Sequence, residues 1–126
     1  MTDRAAVIAG VAESDEVGRV PDRTVLQLQA EAADNALRDA GLAPDAIDGL
    51  FAQGSGLRER YDFPTFAVAE YLGIEPTVAS SNDLGGASAF GHVQYAMLAI
   101  EAGLLDAALV TYGSTNYTDR SEGRNQ

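Results

Sequence analysis

Ser88 and His92 stand four residues apart in the stretch Ser80-Ser81-Asn82-Asp83-Leu84-Gly85-Gly86-Ala87-Ser88-Ala89-Phe90-Gly91-His92. On a helix that spacing puts a hydroxyl and an imidazole on one face. A serine nucleophile needs such a base beside it, and the base needs a third group to orient it. The sequence identifies no third group, and a lone histidine on an apolar helix also serves as a packing residue. Ser88 and His92 are therefore the candidate catalytic pair, with packing as the alternative. The small residues before them have two readings as well. Gly85, Gly86 and Ala87 suit a tight strand-to-helix turn. They also suit a cradle of backbone N–H groups for a carbonyl oxygen or phosphate, because a helix start carries unpaired donors and a partial positive charge.

Other candidates are thinner. Tyr112 falls at the end of an apolar run, beside Gly113-Ser114, and ligands gather at the carboxyl ends of parallel strands. It joins Gly85, Gly86 and Ala87 as a candidate substrate-binding residue. Arg58 and Arg60 could meet the phosphates of an acidic cofactor, or pair with Glu59 and Asp62 in a solvated loop. Gly54-Ser55-Gly56 lacks the third glycine of a dinucleotide fingerprint and reads as a loop.

Composition excludes more than it proposes. The 126 residues carry 19 acids against 8 arginines and no lysine, a net charge of −11. No basic stripe exists to neutralise nucleic-acid phosphates. Without lysine there is no Schiff base and no P-loop. Without cysteine there is no disulfide, thiolate metal site or thiol catalysis. A single histidine gives no basis for a protein-only zinc site, so no metal is expected. No apolar run reaches the length of a membrane span, and the start of the chain lacks the shape of a signal peptide. A cytoplasmic protein with no membrane partner is the expectation.

The elements that would position these residues alternate. Arg4–Val11 reads as a buried strand ended by Gly10. Thr24 with Gln27 forms a capping box for a helix running to about Ala40, with Leu26, Ala30, Ala33 and Leu37 on one face and Gly41 beyond its end. Ala46–Gln53 reads as a second strand. Phe63–Leu72 is a short helix with Pro64 in its first turn and Gly73 after it. Thr77–Ser80 is a third strand. Ala87–Ala102 is the longest apolar helix, with Val93, Ala96, Met97 and Ile100 on its inner face and Gly103 as its stop. Leu105–Tyr112 is a fourth strand. The order β-α-β-α-β-α-β gives an α/β class with a mostly parallel sheet covered by helices. Residues 1–114 make the domain, and 115–126 read as a polar tail or the start of an insertion.

Several of these pieces together resemble the thiolase-like superfamily. The opening Ala5-Ala6-Val7-Ile8-Ala9-Gly10-Val11 with the Thr24–Gly41 helix is similar to its N-terminal portion, as is Asp45-Ala46-Ile47-Asp48-Gly49-Leu50-Phe51. Ile100-Glu101-Ala102-Gly103-Leu104-Leu105-Asp106-Ala107-Ala108-Leu109-Val110 resembles the family passage I-x-x-G-x-x-D-x-x-L-V. The similarity runs over nearly the whole chain. It is nearest in character to the sterol-carrier or lipid-transfer type, often labelled acetyl-CoA acetyltransferases.

The resemblance implies a coenzyme A thioester as substrate, an acyl-CoA as partner and no covalently bound cofactor. It places the nucleophilic cysteine of classical thiolases at Gly86, the family serine at Ser88 and the family glycine at Ala89. Covalent acyl transfer by that route is closed to this chain. Cysteine-less relatives imply retro-aldol cleavage of a β-hydroxyacyl-CoA, with acid and base groups in the C-terminal half. The alternative is a non-catalytic subunit that binds acyl-CoA or stabilises an active partner. A thiolase half also has a fifth strand, absent here, so either a fragment of a longer protein or one member of a split assembly is expected. A homodimer through about Thr77–Ser80, pairing with the missing part of the fold, and an OB-fold or zinc-ribbon companion are further implications of the resemblance.

Overall fold

The structure, a computed structural model, describes residues 3–55 and 62–123. Three parallel strands form the sheet: β1 (Gly49–Ser55), β2 (Val78–Ser80) and β3 (Ala108–Ser114), in the order β2-β1-β3. β1 pairs with β3 along seven residues, from Gly49 opposite Ala108 to Ser55 opposite Ser114. It pairs with β2 over three, Gly49 to Phe51 against Val78 to Ser80. Parallel neighbours need long crossovers, and α2 (Pro64–Leu72) and α3 (Ser88–Glu101) supply them, while α1 (Val25–Ala40) precedes β1 and the short α4 (Asn116–Ser121) follows β3.

Alternation along β1 sorts the layers. Leu50 and Ala52 face α1 and α2, packing with Ala33, Leu37, Val68 and Ala69. Phe51 points the other way, onto Ala96 and Ala99 of α3 and onto Leu105. All three β1 side chains are fully buried, as expected for a central parallel strand covered on both faces. Among the described residues no helix is long and apolar enough to cross a membrane.

The helix ends follow their punctuation. Thr24 and Gln27 form the reciprocal capping box at the start of α1. Gly41, Gly73 and Gly103 follow α1, α2 and α3 with φ of 71°, 68° and 79°, a conformation that L side chains resist.

Three features differ from the sequence reading. Arg4–Val11 is not a strand: no backbone hydrogen bond joins residues 5–10 to the sheet. A strand exists only through a neighbouring backbone, and β1 and β3 pair directly with each other. The segment is held at its ends instead. Arg4 donates to the Leu105 carbonyl and pairs with Asp106 at 2.7 Å, and the Val11 N–H donates to Asp39 of α1. Val7 and Ile8 are left 80% and 76% exposed.

Second, the inner face of α3 is Ser88, His92, Ala96 and Ala99, while Met97 is 44% exposed. The helix is apolar nearly all round, so periodicity does not identify one stripe, and the small side chains allow the closest approach to the sheet. Third, the segment expected as a polar tail or insertion contains α4, with Thr115, Thr118 and Asp119 buried. Thr118 accepts the Val20 N–H at 2.9 Å, and Thr115 donates to Asp119 at 2.9 Å. These polar side chains are buried because each has a hydrogen-bond partner, for Thr118 one 98 positions away in the chain.

Gly54 and Gly113 face each other across the β1–β3 ladder, directly under α1. A Cβ at Gly113 would lie 2.5 Å from Gln29 Cγ and 2.9 Å from the Val25 carbonyl oxygen. Gly113→Ala is therefore expected to destabilise the protein by about 1–3 kcal/mol through overpacking, read by urea or thermal unfolding. A change below about 0.5 kcal/mol, the range of neutral surface substitutions, would show that α1 is free to shift.

Candidate functional site

The carboxyl ends of all three strands open on one side of the sheet, and the 81–87 loop lies there, between β2 and α3. Thr65, at the start of α2, ties the strand ends together. Its hydroxyl donates to the Ser80 carbonyl at 2.8 Å and accepts the Ala52 N–H at 3.3 Å. From β1, the Gln53 amide donates to Asp83 Oδ1 at 2.9 Å. The same oxygen accepts the Gly85 N–H at 3.0 Å, an Asx-type turn closed by the residue's own side chain.

Ser88 and His92 are both buried, at 2% exposure each, and both side chains hold this loop. Ser88 Oγ accepts the Leu84 N–H and donates to the Gly85 carbonyl, each at 2.8 Å. His92 Nε2 accepts the Asn82 N–H at 3.0 Å. A backbone N–H can only donate, so Nε2 carries no proton and the neutral ring is protonated at Nδ1. The imidazole lies against Phe51, centroids 5.9 Å apart. Burial pushes its pKa below the ordinary histidine value. The structure thus places the two residues on one helix face but shows no hydrogen bond between them; each serves the loop.

The turn spends its own donors too. The Gly85 N–H goes to Asp83, the Ala87 N–H to the Leu84 carbonyl and the Ser88 N–H to the Gly85 carbonyl. Those three donors are inside the turn rather than aimed at a ligand. Gly85 and Gly86 then have different reasons for lacking side chains. Gly85 has φ 62°, whereas Gly86 has ordinary backbone, and a Cβ added there would meet nothing within 4 Å. Position 86, where the resemblance puts a thiolase nucleophile, faces open space.

Tyr112 is 53% exposed on β3, in register with Gln53 and so on the α3 side of the sheet. Gln53 Oε1 and Asn82 Oδ1 are buried without a hydrogen-bond partner among the described residues. They are two amide oxygens available to a donor from another group at the strand ends. The Gln53–Asp83 contact and the Thr65 tie were not anticipated from the sequence. Both join residues more than ten positions apart in irregular surroundings, which no periodicity reports. Arg58 and Arg60 lie outside the described residues, and among the described residues no cluster of three or more potential metal ligands occurs.

No protein-family model matches the chain. It is 35% identical over 119 residues to the 17-hydroxy-3-oxo-4-pregnene-20-carboxyl-CoA lyase of Mycobacterium tuberculosis (strain ATCC 25618 / H37Rv), a match covering 92% of this chain and 28% of that protein. Its fold superposes on the Ltp2-ChsH2(DUF35) aldolase with a TM-score of 0.72 at 34% identity, over 84% of this chain and 26% of that one. It superposes on an acetyl-CoA acetyltransferase from Syntrophomonas wolfei with a TM-score of 0.71 at 23% identity, over 82% and 27%. The chain therefore spans little more than a quarter of the length of these proteins.

Two outcomes test the site. Gly85→Ala is expected to cost about 1–2 kcal/mol, the penalty of a left-handed L-residue. Gly86→Ala is expected to be neutral or to stabilise by up to about 1 kcal/mol through the unfolded chain. Equal losses in chemical denaturation would show that the loop differs from this geometry. His92 also sets a pH dependence. It is neutral in the fold with a lowered pKa, so below pH 6.5 the unfolded chain binds the extra proton and the fold loses stability. Relative to His92→Gln, the parent is expected to lose stability as pH falls through 6.5 and to hold a constant difference above it. A flat difference across this range would contradict the buried neutral imidazole.

Proposed function

The chain is thiolase-like in fold, matching the N-terminal portion, and from that premise we propose that it is part of an enzyme that breaks a carbon–carbon bond in an acyl-CoA. The observation that carries this reading is Gly86. This residue, which the resemblance aligns with the thiolase nucleophile, has no side chain and faces open space, in a chain 35% identical to a protein named as a CoA lyase.

Retro-aldol cleavage needs no nucleophile. A base removes the proton of a β-hydroxyl and a carbonyl forms at that carbon. The Cα–Cβ bond breaks, and its electron pair enters the thioester enolate, which is then protonated at Cα. The products are a ketone or aldehyde and a shorter acyl-CoA. In this reading the substrate is a β-hydroxyacyl-CoA, with a steroid side chain as the leading candidate from the names of the relatives. Acid and base groups come from outside these residues. This chain contributes the wall of the site: the 81–87 loop, the strand ends at Gln53 and Ser80, and Tyr112 beside them.

Completion of the fold by a further polypeptide segment is part of the proposal, as are association through the β2 edge and a cytoplasmic location. An aldolase whose name joins Ltp2 to ChsH2(DUF35) supports a companion chain, and an OB-fold or zinc-ribbon protein is the companion proposed. A second reading, a non-catalytic subunit that binds acyl-CoA or supports an active partner, is favoured by one observation. Ser88 and His92 are both committed to holding the loop.

The test uses the protein as purified with its associated chains. It is mixed with β-hydroxyacyl-CoAs bearing steroid or simple branched side chains, and products are followed by mass spectrometry. The expected result is a carbonyl product with a shorter acyl-CoA, and no acyl-enzyme. Ser88→Ala is expected to lower kcat/KM by about tenfold or less, the scale of one neutral hydrogen bond lost in the loop. A loss of 10⁴-fold or more, the scale of removing a nucleophile, would make Ser88 catalytic. Binding without turnover by the complete assembly would establish the second reading.

A further inference from the structure

His92 is the single histidine of the chain. Its side chain reaches across from the first turns of α3 to the Asn82 N–H, where the chain leaves β2. Among the described residues, three side chains from outside the 81–87 loop hold consecutive parts of it: His92 at Asn82, Gln53 at Asp83, and Ser88 at Leu84. Two of the three have no titration in the ordinary range. Of the three, only His92 loses its acceptor by titrating.

We propose that His92 is the positioning residue of the substrate-facing loop, its unprotonated Nε2 fixing the Ser81–Asp83 backbone against α3, and that protonation of this nitrogen releases the loop. A protonated Nε2 sets one N–H against another at 3.0 Å, which turns a hydrogen bond into a repulsion. The imidazole has little room to avoid it. It is packed on Phe51, whose other neighbour is Tyr95 at 5.3 Å, and Asn82 Nδ2 would lie 3.2 Å from a Cβ at Gly91 of the same helix.

Among the described residues the surroundings offer the imidazolium no ion pair. From β1, Phe51 and Gln53 lie on the α3 side of the sheet; from β2, Val78 and Ser80; from β3, Ala108, Val110 and Tyr112. On α3 itself the titratable neighbour is Tyr95. On the loop it is Asp83, whose Oδ1 is already shared by Gln53 and Gly85. Burial, with no opposing charge, is what disfavours the charged ring.

The effect on turnover rests on the lyase reading above; the hydrogen bond and its release do not. The experiment uses the assembled protein with ¹⁵N-histidine and ¹⁵N-asparagine incorporated in this chain alone. At pH 7.5 the His92 resonances are expected to show a neutral ring protonated at Nδ1, and the Asn82 amide to be protected from exchange. In His92→Phe the protection is expected to fall about five- to tenfold, the scale of one hydrogen bond. In His92→Gln, whose amide oxygen accepts in place of Nε2, most of it is retained. As pH falls, protection in the parent is expected to approach that of His92→Phe, while His92→Gln stays level.

A ring protonated at Nε2 at neutral pH would overturn the proposal, as would equal Asn82 protection in the parent and His92→Phe. Failure of His92→Phe to fold leaves the parent ring measurement decisive. An acid limb in kcat/KM that disappears in His92→Gln extends the role to turnover. The expected ring state and protection without any acyl-CoA turnover would leave the positioning role standing and overturn the lyase reading.

Discussion

The close approach of α1 to the sheet is the constraint on which the other features rest. Gly54 and Gly113 oppose each other in the ladder, and a Cβ on either would strike Val25 or Gln29. In the space so left, the Gln29 amide donates to the Gln53 carbonyl at 3.0 Å and to Thr111 Oγ1 at 3.2 Å. Gln29 is 1% exposed, and a buried amide without partners is costly. The helix is therefore fixed both in height, by the glycines, and in position along the strands, by the amide. That sets the carboxyl ends of β1 and β3 level with each other. Gln53 is then held at its backbone by α1 and can present its side chain to Asp83 on the opposite side of the sheet. The loop is anchored to the core through that residue.

From there the loop closes largely on itself. The N–H groups of Asn82, Leu84, Gly85, Ala87 and Ser88 each have an acceptor within the loop or on α3. Such a loop is well placed, and these five donors are committed. A wall of fixed shape suits a site that orients a large substrate for groups supplied elsewhere. It suits less well a site that must itself hold an oxyanion, which needs donors aimed at the developing charge. The open space over Gly86 belongs to the same argument: the position that the resemblance aligns with a thiolase nucleophile is one where the turn would tolerate a side chain.

Much of this was legible in the sequence. The capping box at Thr24 and Gln27, the left-handed glycines after α1, α2 and α3, and the alternation of strands with helices each rest on chemistry within a few residues. They survive any tertiary context. The failures share a physical cause in their dependence on distant partners. Ala5–Ala9 has the composition of a strand but no backbone beside it. The inner face of α3 was hidden because Met97, Leu98 and Phe90 make its outer face as apolar as its inner one. Thr118 and Asp119 looked solvated because polar residues are assigned to the surface until their partners are known. The pairing of Ser88 with His92 followed correctly from helical spacing, but spacing cannot say that each would find a backbone group before it found the other.

The outward features of the molecule bear on the proposed activity. Two helices cover one face of the sheet, while α3 covers the other with Phe90 and Leu98 turned away from the core at 79% and 61% exposure. Val7 and Ile8 lie on a segment that has no ladder. These are four large apolar side chains left in contact with solvent on two separate segments. The relatives are more than three times as long as the matched portion, and on the proposed reading further chain of that kind would cover these side chains. On the lyase reading this accounts for the division of labour. Placement of the site loop is local, decided by Gln29, Gln53, Ser88 and His92. Proton transfer to and from the substrate is assigned to groups outside these residues, because Ser88 and His92 are already held by the loop.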